Sequence, residues 1–312
     1  MNAVLKVDRV GRVFAGGAAP LIAVDDVSFE LAAGETLGIV GESGCGKSTL
    51  ARMVLKLLPA TSGRIEIAGT DITDLAETQM RPLRRRIQAV FQDPVSSLNP
   101  RMRVRDIVAE PLHASALDRA AKAARVREML AVVGMPDDAG ERYPHAFSGG
   151  QRQRIAIARA LAASPQILIC DEATSALDVS VQAQVLNLLG ELRKRFQLSM
   201  LFISHNLGAV RHVSDRVAVM YLGRIVELGS EDQIFERPAH PYTRALIASV
   251  PEATADADVA APLAGEIPSP RNRPSGCHFH PRCPKAEARC SVEDPALTQR
   301  ADGHAVRCHF PN

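Results

Sequence analysis

The chain has no apolar run long enough to cross a bilayer, and its start lacks the charged-then-greasy layout of a secretory leader, which predicts a protein that stays in the cytosol. Net charge is nearly missing too. Its 37 basic and 35 acidic side chains cancel to +2, so no global field invites nucleic acid or an anionic membrane surface. Neither an internal repeat nor a long heptad segment is present, which argues against a solenoid and against coiled-coil arms. At 312 residues with 46% hydrophobic content, one large domain with an appendage can bury a full core. The basic run Arg81, Arg84, Arg85 and Arg86 reads as a solvated face or a partner contact.

What is present is a phosphate-cradling pattern. Gly41, Glu42, Ser43, Gly44, Cys45, Gly46, Lys47, Ser48 and Thr49 follow the apolar run Thr36 to Val40 and precede a helix-like stretch, Leu50 to Leu58. Strand, glycine-rich loop and helix in that order let backbone N–H groups and the helix start face phosphate oxygens. Lys47 can then reach the β- and γ-phosphates, and Ser48 can hold Mg²⁺. Glycine turns that bind nothing also occur, but the flanking strand and helix argue against that reading.

Around this loop the pattern is α/β. Leu5 to Val10, Val24 to Leu31 and Ile65 to Ile72 alternate as strands of a small antiparallel sheet, with a loop at 16–20, and Ile87 to Phe91 is a further strand. From about 93 to 163 the spacing turns helical, over Val104 to Leu112, Leu117 to Val133 and Gly150 to Ala163. A parallel core, buried on both faces, resumes with Ile167 to Cys170 and Met200 to Ile203 around a helix from Val179 to Arg195. Val217 to Tyr221 and Arg224 to Leu228 form a hairpin, and the Ala-, Pro- and Asp-rich stretch 252–274 reads as a linker. The division expected is 1–250 for the core domain and 251–312 for linker and a Cys-rich extension.

Further chemistry accompanies the loop. Asp171 ends an apolar strand, where a carboxylate can hold the Mg²⁺ shell, and Glu172 beside it can polarise a water for in-line attack on the γ-phosphate. Phe147, Ser148, Gly149, Gly150 and Gln151 open a helix whose glycines let an anion approach closely. Here the sequence resembles the ATP-binding cassette (ABC) ATPases, whose signature is Leu-Ser-Gly-Gly-Gln; Phe147 replaces the leucine, and Ala173 a usual proline. The resemblance implies a P-loop fold with a RecA-like parallel core, an antiparallel β subdomain and a helical subdomain. It also implies that Ser148 to Gln151 of one subunit cover ATP bound to the loop of the other. By the same resemblance Gln92 senses Mg²⁺ and the attacking water, Asp178 belongs to the D-loop, and His205 contacts the γ-phosphate. Phe14 falls where the family places an aromatic under adenine, although a core phenylalanine fits equally well.

Among such ATPases, Phe91 to Met102, Arg142 to Phe147, Leu177 to Gln184 and His240 to Leu246 look like oligopeptide and dipeptide importer subunits, specifically the F-type of two. The implied partners are a D-type ATPase, two membrane permeases and, indirectly, an extracytoplasmic substrate-binding protein, placing the chain on the cytoplasmic face of a bacterial plasma membrane. Nickel and glutathione importers lie close by. A soluble regulatory ATPase with a metal- or redox-sensing tail is the alternative of a different class. Cys277, Cys283, Cys290 and Cys308 with His278, His280, His304 and His309 nearby can supply a tetrahedral zinc site or a 4Fe–4S cluster, or remain free thiols. Resemblance favours iron-sulfur. Cys45 is expected to contribute its backbone N–H, and Cys170 to pack as a small buried side chain.

Overall fold

A computed structural model of the chain describes residues 3–16, 19–249 and 265–312; the expected loop positions 17 and 18, the linker positions 252–264 and the division at 250/251 lie outside them. The strands are β1 (Ala3–Phe14), β2 (Leu21–Ala32), β3 (Thr36–Val40), β4 (Ser62–Ile67), β5 (Thr70–Asp71), β6 (Ile87–Val90), β7 (Ile167–Asp171), β8 (Ser199–Ile203), β9 (Arg216–Tyr221), β10 (Arg224–Ser230), β11 (Thr298–Gln299) and β12 (Ala305–Val306). The α-helices are α1 (Lys47–Val54), α2 (Glu77–Arg84), α3 (Pro94–Ser97), α4 (Val104–Ala109), α5 (Arg119–Val132), α6 (Gly149–Ala162), α7 (Val179–Phe196), α8 (Leu207–Val213), α9 (Glu231–Phe235), α10 (Pro241–Ala248) and α11 (Ala288–Val292). Among the described residues no helix is long and apolar enough to cross a membrane.

The chain divides into two compact units. The first holds Met1–Leu5, Glu30–Thr36 and Glu66–Ile203. Its parallel strands β6, β7 and β8 pair in register, Ile87 opposite Ile167 and Ile167 opposite Ser199. Every residue of β7 and β8 is buried, so both faces must be covered, and apolar side chains recur at every position rather than at alternate ones. Helix α6 packs against β6, α4, α5 and α7. Capping explains the helix starts: the Asp118 carboxylate accepts from Ala121 N–H at 2.7 Å ahead of α5. Helix α7 ends where Gln197 turns left-handed at φ 52°, allowing Leu198 N–H to close on the Arg193 carbonyl at 3.0 Å. Helix α2 escapes sequence reading, because its arginines and Pro82 mask a short amphipathic turn. Only Met80 and Leu83 are buried there, and the Arg84 guanidinium grips Glu77 in two bonds of 2.8 and 2.7 Å.

The second unit holds Lys6–Phe29, Leu37–Ile65 and Ser204–Asn312. Here β3 pairs β9 in parallel, Leu37 opposite Arg216, and β10 pairs β9 antiparallel with a bulge between Ile225 and Glu227. The short tail strands then add to the same sheet, β12 on β10 and β11 on β12. Helix α10 begins with Pro241 at its first position, where the ring's fixed φ suits a helix start and its missing N–H costs nothing, while the His240 Nδ1 accepts from Tyr242 N–H at 3.0 Å.

Burial pushes the His240 pKa from 6.5 down to about 3. The folded value lies below the unfolded one, so this histidine's contribution is complete above pH 6.5 and is lost as pH falls toward 3. Replacing it by asparagine, which still caps α10, should flatten the acid dependence of urea-unfolding stability by up to about 1.4 kcal/mol per pH unit. An unchanged slope between about pH 6 and 4 would refute the assignment of that proton uptake to His240.

Candidate nucleotide site and cysteine cluster

In the second unit the residues from Gly41 to Gly46 form a loop that runs directly into α1, whose first residues are Lys47, Ser48 and Thr49. Gly46 caps that helix at φ 107°, and a β-carbon there would run into the Ala23 carbonyl oxygen, so only glycine permits both the turn and the close approach. Lys47 is 4% exposed, and its ammonium donates to the carbonyls of Gly41 (2.7 Å) and Glu42 (3.0 Å) and to Cys45 Sγ (3.7 Å). The ammonium therefore lies inside the loop rather than in solvent. Ser43 and Gly44 are exposed, with Ser48 and Thr49 half-buried at the start of α1. The Cys45 N–H donates within the loop to the Glu42 carbonyl at 3.3 Å. Its thiol pKa is raised, chiefly by burial.

The same unit carries Phe14 and His205. Phe14 is half-buried, and the Arg12 guanidinium lies 4.6 Å above its ring centroid, so one ring face already holds a cation. His205 is exposed just beyond β8; the next residue, Asn206, caps α8 by accepting from Ala209 N–H at 3.0 Å.

The first unit carries the remaining predicted residues. Gln92 is exposed two residues past β6. Asp171 is buried at the end of β7, and Glu172 follows at φ 51°, a left-handed conformation that is strained for a residue with a β-carbon. Its N–H donates to the Ile203 carbonyl at 2.8 Å, and its own carbonyl accepts from Ser175 Oγ at 3.0 Å. Ser148 and Gln151 form a reciprocal capping box at the start of α6, Gln151 N–H to Ser148 Oγ at 3.3 Å and Ser148 N–H to Gln151 Oε1 at 3.1 Å. Ser148, Gly149 and Gln151 are exposed, whereas Gly150 is buried against Val181. Asp178 is exposed ahead of α7, next to Val179 at 84% exposure. Cys170 packs as expected in β7, its thiol pushed up to about 12 by burial. A cavity of about 610 Å³ lined by Arg105, Arg119, Lys122, Arg127 and Glu141 among others contains none of the predicted residues.

Cys277, Cys283, Cys290 and Cys308 line one small cavity with His280, His309 and Phe279, all as free thiols. Burial pushes Cys277 up to about 11 and raises Cys283 and Cys308 as well. Among the described residues no group of three Cys, His, Asp or Glu side chains is placed to hold a metal ion. His304 stands elsewhere, with its Nε2 2.7 Å from a carboxylate oxygen of the fully buried Glu227.

Contacts that sequence reasoning missed join α10 and the tail to the loop that begins at Gly41. The Tyr242 hydroxyl accepts from Glu42 N–H at 3.0 Å, and Arg282 pairs with the Glu42 carboxylate through both terminal nitrogens at 2.8 and 3.0 Å. No local signal marks Arg282 in its His-Pro-Arg-Cys context.

The ABC transporter family model matches residues 24–175, and the oligopeptide/dipeptide transporter C-terminal region matches 226–290. A Sinorhizobium fredii protein described as a probable peptide ABC transporter ATP-binding protein is 55% identical over 92% of this chain and 82% of its own length. The di/tripeptide transport ATP-binding protein DppF of Pseudomonas aeruginosa is 50% identical over 96% and 94%. Bacillus subtilis oligopeptide transport ATP-binding protein AppF is 51% identical over 92% and 89%. Among solved structures, the ATP-binding cassette MJ0796, a dimer bound to ADP and phosphate in a post-hydrolysis state, superposes with TM-score 0.67 at 28% identity, covering 73% of this chain and 98% of that one. The chain belongs to the ATP-binding cassette family of transporter ATPases, with that family's mixed α/β nucleotide-binding fold.

A β-carbon at Gly150 would run into Val181 Cγ1. Gly150→Ala should therefore lower unfolding stability by about 1–3 kcal/mol, and adding Val181→Ala should recover most of the loss. Equal melting of wild type and Gly150→Ala would show that α6 does not need this close packing.

Proposed function

We propose that this chain is the ATP-hydrolysing subunit of a membrane importer of di- and oligopeptides, the F-type partner of a D-type ATPase. Two permease subunits would form the channel, and an extracytoplasmic binding protein would deliver the cargo. The chain would sit peripherally on the cytoplasmic face of a bacterial plasma membrane. The observation that supports the peptide reading is the match over 226–290 to the oligopeptide/dipeptide transporter region, a segment outside the cassette match at 24–175. We divide the chain into an ATPase domain, 1–250, with its helical part near 93–163, and an extension, 251–312.

In this reading the loop from Gly41 to Thr49 wraps the triphosphate while the Glu42 N–H stays on Tyr242; the Cys45 N–H leaves the Glu42 carbonyl, and Lys47 exchanges its carbonyl partners, for phosphate oxygens. Phe14 would stack beneath adenine. The hydroxyl of Ser48, the amide oxygen of Gln92 and the carboxylate of Asp171 are hard oxygen donors of the kind that would hold Mg²⁺, which would neutralise charge developing on the phosphates. Glu172 takes the proton of the attacking water and aims its oxygen in line. His205 would hold the γ-phosphate. Ser148, Gly149, Gly150 and Gln151 of one subunit would cover the nucleotide on the other, with Asp178 at the junction, so that ATP favours the closed pair and hydrolysis releases it. Residues just after Gln92 would seat a permease's cytoplasmic helix.

For the tail we infer that Cys277, Cys283, Cys290 and Cys308, which among the described residues are not gathered in threes at a metal position, close on a 4Fe–4S cluster when it is bound, with zinc as the alternative. Their support is the donor type and their common cavity.

In the assembled complex, Glu172→Gln should reduce ATP turnover about 100-fold or more while ATP still binds; retained turnover would exclude Glu172 as the base. Reconstituted vesicles supplied with a tripeptide, glutathione or Ni²⁺ should import the tripeptide, whereas uptake of only one of the others would reassign the cargo. Failure to co-purify with polytopic permeases would favour the regulatory alternative. Anaerobically purified protein should contain about four irons per chain with broad visible absorbance. A colourless sample carrying zinc would overturn the cluster.

A further inference from the structure

Glu42 is the second residue of the loop, and its carboxylate meets Arg282 of the cysteine-bearing segment. Both carboxylate oxygens accept from the Arg282 fork at 2.8 and 3.0 Å, the bidentate geometry that gives an arginine pair both strength and direction. Only 4% of the Arg282 side chain and 20% of the Glu42 side chain are exposed. The guanidinium also lies near two aromatic rings, 5.8 Å from the Tyr221 centroid and 6.0 Å from that of Phe279. Accordingly the Arg282 pKa is raised, first by its bond to Glu42.

The backbone of the same glutamate is equally occupied. Its N–H donates to the Tyr242 hydroxyl at 3.0 Å, and its carbonyl accepts both Lys47 Nζ at 3.0 Å and Cys45 N–H at 3.3 Å. Residue 42 is thus the point at which the loop's first turn and its ammonium are fixed, and the fixing groups come from α10 and from the turn His280–Arg282. We propose that Arg282 is a positioning residue for ATP: acting through Glu42, it sets the orientation of the loop that must wrap the phosphates. The proposal rests on reading 41–49 as the nucleotide loop.

Losing Arg282 would leave a partly buried carboxylate unpaired beside the phosphate site, and the turn would no longer hold Lys47 and the loop amides in one arrangement. Binding of triphosphate would weaken, while Glu172, which makes none of these contacts, keeps its own hydrogen bonds to Ile203 and Ser175. In the assembled complex, Arg282→Ala should therefore raise the KM for ATP about tenfold with kcat within about twofold, and Arg282→Lys, which keeps the charge but not the fork, about threefold. Glu42→Gln should behave like Arg282→Lys. Amide hydrogen exchange of peptides covering 41–47 should quicken in all three, and the rise in KM without a matching fall in kcat is what a mere staple of the tail would not produce. If Arg282→Ala fails to fold, the other two variants decide. KM and loop exchange unchanged in Arg282→Lys and Glu42→Gln would overturn the proposal. Lys47→Ala separates the two levels: full ATP affinity in that variant would defeat the reading of the loop itself, whereas its loss beside unaffected Glu42→Gln and Arg282→Lys defeats only the role of Arg282.

Discussion

The buried ammonium of Lys47 is the constraint around which the second unit is organised. A cation removed from water needs compensating oxygen ligands, and here they are main-chain carbonyls, which forces the loop from Gly41 to Gly46 to curl back over the side chain that follows it. That curl is held from several directions. Gly223 N–H donates to the Cys45 carbonyl at 2.8 Å, Asp25 N–H donates to the Gly223 carbonyl at 2.9 Å, and the Ala23 carbonyl fills the space beside Gly46. The turn between β9 and β10 is left-handed at both Leu222 (φ 44°) and Gly223 (φ 83°), which brings the Gly223 N–H to face the loop. Strand, turn and loop therefore specify one another.

In the first unit the corresponding constraint is strain. A left-handed glutamate costs on the order of 1–3 kcal/mol, and the engagement of its N–H and carbonyl, by Ile203 and Ser175, helps to hold Glu172 in that conformation. Relaxing the backbone would break those bonds and swing the carboxylate away from the end of β7. Alanine at position 173, 1% exposed, contributes packing but no ring stiffness, so these hydrogen bonds carry the geometry that a proline could have reinforced. Left-handed residues with a β-carbon also occur at Arg9 and Asp26 within strands and at Ser164 ahead of β7, so the conformation at Glu172 is one of several that the surrounding hydrogen bonds must hold.

Legibility in the sequence follows the range of the interactions. The glycine loop between β3 and α1, the strands β6 to β8, and α6 and α7 were readable because glycine spacing, continuous apolar runs and helical spacing act within a few positions. Gly150 was readable as a glycine helix start, but its need for closeness to Val181 was not, since the two are separated by a whole strand. The tail resisted for the same reason. Its strands β11 and β12 have two residues each, far below any periodic signal, and exist because β10 offers an edge. Four cysteines were legible as a group, yet the histidines divided: His280 and His309 line their cavity, whereas His304 belongs to Glu227.

How a segment with so little apolar content stays folded is answered by charge as much as by burial. Arg224 and Arg273 both reach Asp25 at 2.7 Å, Arg224 also holds Asp294, and Arg307 donates to Asp26 at 3.0 Å. Exposed pairs of this kind would add little. These arginines are mostly covered, with side-chain exposures of 16% or less, so each unpaired alternative would strand a charge, and the network penalises wrong arrangements more than it rewards the right one. Phe279, 1% exposed among Tyr221, Tyr242 and His240, supplies the deep apolar anchor. The anchor fixes depth and the ion pairs fix direction, which together deliver Arg282 to Glu42 and the four thiols to one cavity.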